Sequence, residues 1–260
     1  MTSSLRTSAS GMIAQQKRVD VIANNLANVN TTGFKRSRTN FEDLLYNTIQ
    51  GPRRVAGDAI LGPVQIGHGV RLASIARVEG QGGMEITGRP LDLGIEGEGF
   101  FQVELPDGTI AYTRDGAFTL SESGQLVTGS GHTVIPGIVL PPDASSVTIT
   151  ETGVVSVGTG TEGQTVEIGR LELVRFANSA GLLALGGNLM AETVASGPPA
   201  TGFPLEEGFG RVLQGTLESS NVEIVQEMTD MIAAQRAYEI NARAIRAAED
   251  MMRSIDDLIR

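Results

Sequence analysis

Residues able to do covalent or metal chemistry are few in this chain of 260 residues, and their spacing matches no catalytic pattern. The nearest approach is Gly158-Thr159-Gly160-Thr161-Glu162-Gly163, a formal G-x-G-x-x-G after a strand-like stretch, Val154-Val155-Ser156-Val157. A dinucleotide fingerprint needs a helix to follow, with its N-terminus facing the pyrophosphate. Here Gln164-Thr165-Val166-Glu167-Ile168 alternates as a strand does, so the glycines read as a hairpin loop. The two lysines, Lys17 and Lys35, do not follow the glycines that a phosphate-binding loop requires. His68 and His132 each sit beside Gly without H-x-x-x-H spacing, and there is no Cys, which argues against zinc, disulfide and thiolate chemistry. No G-x-S-x-G elbow is present. A glycosidase-like carboxylate pair stays open, with no motif pointing to it. No catalytic residue, cofactor or metal ligand is therefore assigned, and the chain does not read as an enzyme.

The residues that do stand out are amides. Ala23-Asn24-Asn25-Leu26-Ala27-Asn28-Val29-Asn30-Thr31-Thr32-Gly33-Phe34-Lys35 carries three Asn in the six residues from Ala23 to Asn28. Asn is a poor helix former because its side chain competes for backbone hydrogen bonds. Such a cluster is costly unless partners satisfy it. Gly33 permits the positive φ that stops a helix, and Phe34 offers an apolar anchor beyond it.

Two long helices position this string. Leu5, Met12, Val19 and Leu26 fall seven residues apart, a seam on one face of a helix read over 1–32, widened by Ala9, Gln16 and Ala23. Near the other end, Asn221 reads as an N-cap, and no Gly or Pro follows up to Arg260. Ile224, Met231, Tyr238, Ile245, Met252 and Ile259 again lie seven apart, with Ala234, Ala248 and Ile255 three positions after members of that row. A seam of this length meets the pattern of a coiled coil, over roughly 55 Å at 1.5 Å per residue. Charge supports pairing of the ends. Residues 1–40 carry six cations against Asp20, a net of +5, while 221–260 carry eight acids and five bases, a net of −3. Exposed pairs contribute only about 0–1 kcal/mol each, so the seams must supply most of the attraction.

Between the helices the pattern is β. Turn signals at Asp107-Gly108, Asp115-Gly116 and Ser123-Gly124 recur every eight residues, which predicts a meander with Phe101, Val103 and Leu105 on one face. Ser121-Glu122-Ser123-Gly124 is echoed by Thr150-Glu151-Thr152-Gly153, as if one hairpin type were reused. Residues 47–69, with Pro52, Arg53, Arg54 and Pro63, read as a long loop or extended arm with a positive tip. The expected fold class is α+β, with the terminal helices paired as a coiled coil and a mainly antiparallel β middle domain. The expected domains are 1–35 with 221–260, a connecting region of 36–70 with 196–220 that includes the arm, and an outer β domain over 71–195.

Composition narrows the function classes. The net charge of −10 argues against nucleic acid or an anionic membrane as the main partner. No run approaches 18 apolar residues, so no membrane-spanning helix is expected. The first residues, Met1-Thr2-Ser3-Ser4-Leu5-Arg6, lack the basic start and apolar run of a cleavable signal peptide.

The Asn-rich string closely resembles the N-terminal signature of the flagellar rod and hook protein family. Phe41-Glu42-Asp43-Leu44-Leu45-Tyr46, Gly97-Glu98-Gly99-Phe100-Phe101, Tyr112-Thr113-Arg114-Asp115-Gly116 and Gln235-Arg236-Ala237-Tyr238-Glu239 resemble further family motifs in family order. The resemblance implies a self-assembling structural subunit of the basal body. Its helices would line a hollow tube, with Asn24, Asn25, Leu26, Ala27, Asn28, Thr32, Gly33 and Phe34 in subunit packing near it. It also implies the partners: further copies of itself, other rod subunits, the hook protein, the surrounding outer-membrane and peptidoglycan ring proteins, and the export apparatus. Export would use the flagellum's own type III channel, with no cleavable peptide. The competing readings are a proximal rod or hook subunit of the same family or, in a different class, a secreted β-rich hydrolase or adhesin on a coiled-coil stalk. A single stalk would serve either of the last two, and neither explains the Asn-rich string.

Overall fold

The computed structural model describes residues 2–54, 60–159 and 164–259. Among the described residues two α-helices, α1, Thr2–Ala27, and α2, Ile224–Ile259, frame a series of strands with one short 3-10 turn at Ser179–Gly181. The fold is α+β with antiparallel pairing in every sheet, as the alternation and heptad patterns predict. The chain forms two compact units. One comprises Met1–Ala27, Ser37–Arg77 and Glu223–Arg260, and the other Asn28–Arg36 and Val78–Val222.

In the helical unit α1 and α2 run antiparallel, with Asn25 near Glu227 and Arg18 near Asp230. Each helix buries only a narrow stripe, Ala14, Ile22 and Asn25 on α1 and Glu227, Ala234 and Ala248 on α2. Helix α1 stops at Ala27, earlier than the heptads suggest. The backbone of Asn28–Thr31 closes a turn of its own, with Thr31 N–H donating to Asn28 O at 3.1 Å and Thr31 Oγ1 donating to Asn28 Oδ1 at 3.1 Å. Asn221 is not the cap of α2, which begins three residues later. Its amide is instead spent inside the β unit: Oδ1 accepts from Arg36 N–H at 2.7 Å, and Nδ2 donates to Val78 O and Gly80 O at 2.8 Å each.

The helical unit also carries a ribbon. Strand Ser37–Asp43 pairs with Val70–Arg77, and Val70 N–H donates to Ser10 Oγ of α1 at 3.3 Å. Beyond that base, Tyr46–Gln50 pairs with Val64–Gly67, and Arg53–Arg54 pairs with Ile60–Leu61. The expected arm is therefore a two-stranded β ribbon. Leu45, Tyr46, Ile49, Val64 and Ile66 along it are all more than half exposed. A lone two-stranded ribbon is marginally stable in water, so these residues lack the cover that such strands normally need.

The β unit is built on a seven-stranded sheet. Its order is Phe118–Leu120, Leu126–Thr128, Thr133–Val134, Phe101–Glu104, Ile110–Thr113, Leu189–Ala191, Leu183–Gly186. The simple meander is interrupted because Leu189–Ala191, not Phe118–Leu120, pairs with the second edge of Ile110–Thr113, while Thr133–Val134 pairs with Phe101–Glu104. Asp115-Gly116 is consequently not a hairpin turn; a Cβ on Gly116 would stand 1.7 Å from Leu93 O. The predicted inward face is correct for Phe101 and Val103, both buried, with Leu105 packed against them. Phe101 and Phe118 meet edge to face at 5.1 Å within this core. The sequence echo corresponds to one turn used twice. Gly124 N–H donates to Ser121 O and Gly153 N–H to Thr150 O, both at 2.9 Å, and the paired hydroxyls of each turn lie 2.8 Å apart. The stretch 196–220 supplies three strands to this unit, Ala200–Gly202, Arg211–Gln214 and Thr216–Glu218.

Candidate functional site

The Asn-rich string is satisfied in two places, one in each unit. In the helical unit Asn25 is almost fully buried and uses both ends of its amide. Oδ1 accepts from Ser37 N–H at 2.8 Å, and Nδ2 donates to Ser37 O at 2.9 Å and to Glu227 Oε2 at 3.1 Å. One side chain thus ties the end of α1, the first residue of the next strand and the first turn of α2. Those bonds offset the desolvation of an amide that would otherwise be costly in a helix pair.

In the β unit the string continues through Gly33 into a buried ion cluster. Gly33 has φ of +66°, and a Cβ there would lie 2.9 Å from the backbone of Arg114. Its N–H donates to Glu218 O at 2.8 Å. Two residues on, Lys35 Nζ donates to Glu218 Oε1 at 2.5 Å and to Gly80 O at 2.9 Å. Arg114 Nε donates to Glu218 Oε2 at 2.5 Å. The rest of the guanidinium serves the carbonyls of Gly99, Ile95 at 3.1 Å and Gly97 at 2.6 Å. Gly82 N–H completes the carboxylate at 2.9 Å. All three charged side chains are at least 94 % buried, so two cations share one anion and backbone carbonyls take up the excess.

The electrostatics follow from that count. Burial pulls the Lys35 ammonium below its usual value, against the opposing pull of Glu218. Burial alone would raise Glu218, but Arg114, Lys35 and the Gly82 N–H outweigh it and hold the carboxyl below the usual range. The three charges are satisfied by one another and by the surrounding backbone groups. A cavity of about 640 Å³ opens beside them, lined in part by Lys35, Glu79, Glu98, Phe100, Arg114 and Arg175. Among the described residues no group of three or more His, Asp or Glu could hold a metal ion. Residues 160–163 of the glycine motif lie outside the described residues.

Of the sequence-predicted positions, Leu5, Met12, Val19, Leu26, Met231, Ile245 and Met252 are half-buried, while Ile224 and Tyr238 are exposed. The side chains of Arg53, Arg54 and Ile259 lie outside the described residues, and Pro52 and Pro63 are exposed. Gly33 is buried, Phe34, Asn28 and Thr32 are half-buried, and Asn24 and Ala27 are exposed. Glu218 and Glu227, which anchor the string at both places, escape notice in the sequence. Each is one acid among 30, and its partner in the string lies 183 positions away for Glu218 and 202 for Glu227.

Three family models match the chain in order. That described as "Flagella basal body rod protein" covers residues 5–35, "Flagellar hook protein FlgE/F/G D1 domain" covers 94–157, and "Flagellar basal body rod FlgEFG protein C-terminal" covers 213–258. The chain is 48 % identical to the flagellar basal-body rod protein FlgG of Borreliella burgdorferi over the whole of both chains. It is 46 % identical to FlgG of Caulobacter vibrioides over 98 % of each. Its likeness to the rod protein FlgF of that organism is lower, 36 % over 98 % of this chain and 96 % of the other.

Proposed function

The chain belongs to the flagellar basal-body rod family and is a structural subunit of the distal rod, and on that premise we propose how it assembles. The observation that carries the function is likeness along the full length to FlgG proteins, above that to FlgF. In our reading α1 and α2 pair as a coiled coil, line a hollow tube with those of other copies and stiffen a shaft that carries torque to the hook. Support comes from the exposed apolar residues that remain on α2 after pairing, Val225, Met228, Ile232, Ile240 and Met251 among them. The ribbon over 46–67 lies along a neighbouring copy, which would cover its exposed apolar residues and seat the positive end supplied by Arg53 and Arg54. The partners are then other copies, proximal rod subunits, the hook protein and the ring proteins around the rod. The subunit reaches its place by the flagellar export channel. Deleting the gene in its host tests the role: basal bodies should lack the distal rod and hook, and intact hooks would overturn the assignment.

A further inference from the structure

Contacts from α1 to α2 recur at seven-residue steps along α1, at Gly11, Arg18 and Asn25. Asn25 donates to Glu227 at 3.1 Å. One heptad earlier on α1, Arg18 meets Asp230 at 2.7 Å, one turn from Ala234, which is fully buried. One heptad earlier again, Gly11 faces Asn241: a Cβ at position 11 would stand 2.9 Å from the Asn241 Nδ2. With Gly11 opposite Asn241 and Asn25 opposite Glu227, an antiparallel pair sets Arg18 level with Ala234, from where it reaches Asp230 one turn away.

An apolar seam that repeats every seven residues looks the same after a slide of seven, so it cannot select one alignment. The row described above does not repeat. Gly11 is the sole glycine of α1, in a position where glycine is unfavourable for a helix. A slide of one heptad in one direction sets Asn241 against Arg18 and Asn25 against Ala234, and moves Glu227 past the end of α1. In the other direction Asn241 faces Ser4, and Gly11 faces Ala234 with a void between them.

We propose that Gly11, Asn25, Glu227 and Asn241 form a register key, in which a notch and a buried hydrogen bond fix the alignment of α1 on α2. The apolar residues are left free to pack against other copies. A wrongly aligned pair would displace every apolar residue of α2 by about 10 Å, seven residues of helix rise, and so spoil the outer surface that a growing polymer needs.

The chain has no cysteine, so spin labels at Lys17→Cys and Arg236→Cys report one distance within each subunit. They are read in rods assembled with excess unlabelled chain, and electron microscopy reads assembly separately. The inference rests on the rod reading, and failure of the unmodified chain to form rods would count against that reading alone. The unmodified key should give one narrow distance. Gly11→Asn should add a second, longer distance, because a slide of about 10 Å along the axis carries the facing labels out of line, or abolish rods. The exchange Gly11→Asn with Asn241→Gly should restore both the single distance and assembly. An unshifted distance in Gly11→Asn, or an exchange no better than the single variant, would overturn the key.

Discussion

Glu218 is the residue on which the β unit depends most. Glu218→Gln keeps the shape but leaves Lys35 and Arg114 buried without an anion, which typically costs about 3–5 kcal/mol. Thermal unfolding of the full chain should fall by many degrees, while an exposed control such as Glu98→Gln should leave it nearly unchanged. The same cluster sets an acid limit. Because the folded-state pKa of Glu218 is depressed, its contribution is complete above the ordinary carboxylate value and is lost as pH falls through the lower folded value. Denaturant midpoints measured down that acid range should decline for the wild type and decline less steeply for Glu218→Gln. Parallel slopes would show that other carboxylates carry the acid limb. Lys35 was visible in the sequence as the last residue of the string, and Arg114 as part of a motif. Their common partner was not, because a buried acid differs from a solvated one only through contacts made by distant residues.

At the level of elements, the helices were legible and the sheet order was not. Heptads report which face of a helix is apolar, and that information is local. They placed α1 and α2 to within about five residues, missing the turn that Asn28 and Thr31 close after Ala27 and the start of α2 at Ile224, three residues past the expected cap Asn221. The placing of Thr133–Val134 beside Phe101–Glu104 depends on pairing across some 30 residues, which no local spacing encodes. Replacing Ile245 with Asp places a charge at a half-buried position of α2, where desolvation is unfavourable. The β unit should keep its thermal transition, while rods fail to extend and cells do not swim. Normal swimming would mean that this face of α2 stays in water. The ribbon invites the complementary test. Removing residues 51–62 leaves both helices intact, so rods should still form, but curved or abnormally long when measured in purified basal bodies. Straight rods of ordinary length would reduce the ribbon to a linker.

The whole molecule joins a β unit with a well-filled core to a helical unit whose helices bury only narrow stripes. Isolated helix pairs with so little burial are weakly held, since ordering a residue costs about 1–2 kcal/mol. The free chain should therefore be monomeric, and limited proteolysis should trim both ends first. The protected core should exceed the outer β domain expected over 71–195. Lys35 and Gly33 are bonded to Glu218, so the protected material should retain residues 28–36 and extend to Val222. Mass spectrometry of the fragments reads this directly, and loss of residues 28–36 with the rest still folded would contradict it. The central claim is that assembly proceeds through the terminal helices, with the β unit outside. Electron cryomicroscopy of the purified protein under polymerising conditions tests it most directly. The account predicts straight hollow filaments whose inner wall is formed by α1 and α2, with the β units on the outside. Closed globular oligomers, or filaments with the β units around the axis, would contradict it.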